Sequence, residues 1–103
     1  MISYEVTLQA QPALASAVEK YMRESHIPAI LSTGCFADIR FSCASAGRFR
    51  TSYRADTQAD LDRYLQDHAR RLRAEFVERF PENVSVTRET WELLQYWNGE
   101  SAP

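Results

Sequence analysis

At 103 residues the chain has room for one domain with a single, modest core. Its 45% hydrophobic and 25% charged residues are those of an ordinary globular protein, and a net charge of -2 gives no long-range pull toward nucleic acid or an anionic membrane. No run approaches the roughly 20 apolar residues of a spanning helix, and Met1-Ile2-Ser3-Tyr4 lacks the basic and apolar parts of a leader, so a cytoplasmic location is expected.

Ile2, Tyr4, Val6 and Leu8 alternate with polar residues, the period of a half-buried strand. Pro12 suits a first helical position, and Leu14, Ala17, Val18, Tyr21 and Met22 follow at helical spacing. Pro28 disfavours helix in the residue before it, so this helix is expected to end near His26, which would cap it. A short helical turn at Ile30 and Leu31 is closed by Gly34. Alternation then predicts two strands, Asp38–Cys43 and Arg48–Ala55, joined as a hairpin by the small residues 44–47.

Thr57 is a good N-cap for a second helix running to about Phe80. Its apolar seam is Leu61, Leu65, Leu72, Phe76 and Phe80, with Tyr64 and Ala69 on the flanks. Pro81, Glu82 and Asn83 end it, and Val84 and Val86 open a fourth strand toward Trp91. The order β-α-β-β-α-β predicts an α+β fold of the ferredoxin-like type: one antiparallel four-stranded sheet with both helices on one face. Right-handed crossovers put the first and third strands at its centre. Residues 1–94 form the domain and residues 95–103 a C-terminal tail.

The uncovered sheet face should carry Glu5, Thr7, Asp38, Arg40, Arg50, Ser52, Arg54, Thr87 and Glu89. It is either a solvated face laced with weak cross-strand ion pairs or a polar surface that pairs two sheets about a two-fold axis. Trp91, Leu93, Leu94, Tyr96 and Trp97 are too apolar to hang in water without cause, which favours a homodimer through the sheet face and the tail.

No stretch forms a catalytic motif specific enough to name a reaction. Helical spacing sets His68 on the inward stripe between Leu61, Leu65 and Leu72, with Tyr64 one turn earlier. Tyr4 and Tyr53 face it from the two central strands. A histidine and three tyrosines converging between sheet and helices form either a ligand pocket with a near-neutral acid/base or a core histidine satisfied by a hydrogen bond.

Arg48, Arg50 and Arg54 have acidic neighbours to pair with, and Arg70, Arg71 and Arg73 read as a solvated helix face. Cys35 and Cys43 are too few and too far apart for a metal set with His26 and His68. Alternation with Ile39 and Phe41 would bury Cys43, leaving Cys35, beside Gly34, the more exposed thiol. Haem on His68 finds no second signal, so no cofactor is expected.

Met1-Ile2-Ser3-Tyr4-Glu5-Val6, Gly34-Cys35-Phe36, Arg48-Phe49-Arg50-Thr51-Ser52-Tyr53-Arg54 and, most distinctively, Tyr64-Leu65-x-x-His68-Ala69-x-x-Leu72-Arg73 together resemble a bacterial domain-of-unknown-function family of the dimeric α+β barrel superfamily. The resemblance covers Met1 to about Leu94 and implies the ferredoxin-like fold and a face-to-face dimer. It implies no function; the superfamily includes cofactor-free monooxygenases, isomerases and haem enzymes, and fold alone does not carry an activity over. Three readings stand: a homodimer binding a small apolar or aromatic molecule, a cofactor-free monooxygenase or isomerase using His68 and a tyrosine, or a protein-interaction module.

Overall fold

A computed structural model of the chain describes residues 1–101. Four strands, β1 (Ile2–Ala10), β2 (Asp38–Ser45), β3 (Arg48–Ala55) and β4 (Val84–Glu92), form one antiparallel sheet in the order β2-β3-β1-β4. The first and third strands hold the centre, as the crossovers require. Register sets Tyr4 opposite Tyr53 on one side and Thr90 on the other, and Val6 opposite Arg88. The Gly47 carbonyl at the β2–β3 turn accepts a 2.7 Å bond from the Ala10 N–H, and Gly47 adopts φ +80° there. Of the tail predicted over 95–103, residues 102 and 103 lie outside the described residues.

The first helical segment does not stop at His26. A 3-10 turn (Pro12–Leu14) leads into α1 (Ala15–Tyr21), a π-helical turn (Met22–His26) and α2 (Ile27–Leu31) without a break. Pro28 has no N–H to give back to the preceding turn, and its ring crowds the carbonyl four residues earlier. The wider π turn, in which the Ile27 N–H reaches back five residues to the Met22 carbonyl, lets the helix continue through it. Gly34, at φ +73°, closes the segment as its sequence position predicts.

The second helical segment is two pieces, α3 (Gln58–Asp67) and α4 (Ala69–Arg79), with His68 between them at φ -129° and ψ -35°. That kink resets the helical phase. Tyr64 and Ala69, expected on the flanks, are buried, whereas Leu65, expected in the seam, is 38% exposed. The cysteines also exchange places. Cys35 is buried, while Cys43 is exposed because β2 is an edge strand with an irregularity between Cys43 and Ser45.

The helices cover one sheet face and bury two neighbouring clusters against it. One gathers Ile2, Tyr4, Ile30, Phe36, Tyr53, Leu61 and Tyr64; the other gathers Leu8, Val18, Met22, Phe49, Phe76 and Phe80. Val6 packs against both.

Candidate ligand-binding site

Between those two clusters the core leaves a cavity of about 30 Å³, room for about one water molecule. Tyr4, Tyr53 and Tyr64 line it from the first cluster, Met22 and Phe76 from the second, and His26, Arg73 and Arg88 supply the other polar groups. Three of the four residues expected to converge, the tyrosines, therefore do. Their rings are 6.0 Å (Tyr4–Tyr53) and 6.3 Å (Tyr4–Tyr64) apart between centroids, both tilted. The fourth, His68, does not line the cavity. Its ring stacks at 6.4 Å from that of Tyr64, at the kink and partly exposed.

The histidine in the cavity wall is His26. The π turn carries Met22 and His26 to the same wall as Ile30, although Pro28 lies between the last two. The His26 ring packs edge-on to Phe76 at 5.6 Å and tilted to Tyr21 at 5.9 Å. Its Nδ1 is buried with no hydrogen-bond partner. Burial, and then the nearby Arg88 guanidinium, disfavour the imidazolium and push its pKa down from 6.5 to about 4. The ring is thus neutral at pH 7. Burial likewise raises the phenols of Tyr53 and Tyr64, so both keep their protons and are donors.

Arg73, expected on the solvated helix face, is half-buried and donates from Nη2 to the Tyr4 hydroxyl at 2.7 Å. Arg88 projects from β4 at the rim. Among the described residues no carboxylate lies within 4.0 Å of either guanidinium.

Three cavity-lining residues thus escape the sequence reading despite visible signals. Arg88 continues the alternation of Val84 and Val86. Arg73 lies four residues after Ala69 and three before Phe76, an inward stripe once the helix is phased on Tyr64 and Ala69. His26 lies eight residues after Val18 and four after Met22, on the same stripe, but Pro28 made it read as the helix end.

A wider hollow of about 480 Å³ lies on the uncovered sheet face, floored by Glu5, Thr7, Arg50, Ser52 and Glu89 and edged by Trp91. It is open and charged. Glu5 accepts hydrogen bonds from Ser3 and Ser52, and Asp38 stands 3.7 Å from Arg54. The face is divided: Arg40, Arg50 and Arg54 stand on β2 and β3, Glu5 and Glu89 on β1 and β4.

A four-stranded antiparallel sheet with its helices on one face, the ferredoxin-like α+β layer, defines the class. Within it, the family model described as a domain of unknown function (DUF4286) matches residues 1–94, and the chain belongs to that family. No curated protein matches the sequence. Among solved structures, HapK from Hahella chejuensis is similar at 16% identity and a TM-score of 0.71, with 96% of this chain and 100% of that one covered. A Deinococcus radiodurans protein provisionally described as an antibiotic biosynthesis monooxygenase superposes at 13% identity and a TM-score of 0.67 over 95% and 97% of the two chains. Rv0793 from Mycobacterium tuberculosis gives 16% identity and 0.67 over 94% and 98%. Likeness at these identities establishes the fold.

Proposed function

We propose that this chain is a homodimeric small-molecule-binding protein and that each protomer takes one small aromatic molecule between Tyr4, His26, Tyr53 and Tyr64. The observation that carries the reading is the buried, unpartnered Nδ1 of His26, a residue that lines the small cavity between the two core clusters. A buried polar nitrogen without a partner costs about 1–3 kcal/mol, a cost that a ligand hydroxyl or a water would remove. The space there is only about 30 Å³, so a ring can enter only if lining side chains move aside, Arg73 on the Tyr4 hydroxyl among them. His68, stacked on Tyr64, backs the wall from outside.

Binding is favoured over catalysis by the state of His26. An imidazole whose pKa is near 4 is a good hydrogen-bond acceptor at pH 7 but a weak general base, for which a value near 7 serves best. The similar Deinococcus radiodurans protein makes oxygenase chemistry the second reading, and the same cavity would serve it.

The dimer is supported by the divided sheet face. A two-fold rotation sets the basic half of one copy over the acidic half of the other, so the face is complementary to itself. The exposed Leu94, Tyr96 and Trp97 (90%, 73% and 75%) add apolar area for a partner to cover.

Titration with phenol, followed by the side-chain NMR signals of tyrosine and histidine, tests the site. Saturable shifts at Tyr4, Tyr64 and His26 are expected. Shifts confined to Trp91 and the sheet face, or none at millimolar phenol, would remove this reading.

A further inference from the structure

We infer that the ligand of this cavity is an aromatic acid, its ring among the three tyrosines and its carboxylate between Arg73 and Arg88. The inference rests on the proposed binding site and names its chemical class. Three observations lead to it.

The first is an unbalanced charge at the site. Arg73 comes from α4 and Arg88 from the facing strand β4, and no acidic residue lines the cavity. Four other arginines have a carboxylate within reach, Arg23 with Glu19, Arg54 and Arg40 with Asp38, and Arg63 with Asp60; what sets Arg73 and Arg88 apart from the remaining unpaired ones is that both line this cavity. The second is the partner that Arg73 does have. Its guanidinium donates to a neutral phenol, Tyr4, which a carboxylate would replace with a stronger, charge-assisted and two-pronged bond. The third is that both guanidiniums act on the cavity itself. They favour ionisation of Tyr64, and Arg88 disfavours a proton on His26. The inner wall is thus neutral and aromatic while the rim is cationic, which sorts a ligand by polarity: ring inward, anion outward.

Opening and recognition are then one event. The carboxylate that draws Arg73 off Tyr4 frees the Tyr4 hydroxyl and the space beside it for the ring.

Calorimetric titration with benzoate and with benzamide, neutral and of the same shape, tests this at pH 7 on the intact chain. Benzoate should bind at least about tenfold more tightly, the worth of one charge-assisted bond. Arg88 is exposed and unbonded to other side chains, so Arg88→Gln should fold normally and erase most of that preference. Equal binding of the two ligands, or a preference undiminished in R88Q, would overturn the aromatic-acid inference and leave the binding site standing. Failure of both ligands to bind would overturn the site as well.

Discussion

His26 is a histidine in a place where its charged form is unwelcome. The unfolded chain takes up a proton on it near the ordinary pKa of 6.5, whereas the folded chain refuses that proton until about pH 4. Below 6.5 the unfolded state therefore binds more protons. Stability should be fully present above pH 6.5 and fall as pH drops toward 4, by about 3 kcal/mol at most from this residue. Arg88 reinforces the effect from β4, and the neighbouring phenols of Tyr21, Tyr53 and Tyr64, raised by burial, carry no compensating charge. His26→Phe keeps a ring between Tyr21 and Phe76. Urea melts at pH 7 and 4.5 should show a smaller acid loss in this variant than in the parent; identical losses would show that His26 is not a buried neutral histidine.

At the scale of elements, two junctions fix the geometry. Gly47 holds φ +80° at the β2–β3 turn, and a Cβ there would run into the Ala10 carbonyl oxygen of β1. Gly47→Ala should cost about 2 kcal/mol or more in urea denaturation, because a backbone oxygen cannot yield as a side-chain tip would. Thr57 caps α3 by accepting the Asp60 N–H at 3.1 Å, so Thr57→Ala should lose about 1 kcal/mol by the same measurement.

The strands were legible because Ile2, Tyr4 and Leu8, or Phe49, Thr51 and Tyr53, alternate cleanly and Gly and Pro mark the ends. The helices were legible as segments but not in phase. A period of 100° per residue assumes an unbroken helix, and both segments break it, one at the π turn before Pro28 and one at His68. Across the break at His68 the buried stripe moves: α3 buries Leu61 and Tyr64 where Leu65 was expected, and α4 buries Ala69, Leu72 and Phe76, leaving His68 at the kink. The inward placement of the three tyrosines was legible: Tyr4 and Tyr53 are strand residues, and Tyr64 precedes the kink.

For the whole molecule, the divided charge of the sheet face and the exposed aromatic tail predict association. Sedimentation velocity at micromolar concentration should give a dimer. Arg50→Glu, placing an acid in the basic half, should shift it toward monomer, and adding Glu89→Arg should recover part of the dimer. A monomeric parent protein would end the homodimer reading without touching the cavity.

The claim that this cavity is a binding site is tested most directly by a crystal structure of the protein soaked in benzoate. The expected result is density for the ring between Tyr4, Tyr64 and His26, with Arg73 moved off the Tyr4 hydroxyl onto the carboxylate. An unchanged Arg73–Tyr4 bond over an empty or water-filled cavity, with benzoate absent or lodged on the open sheet face, would contradict it.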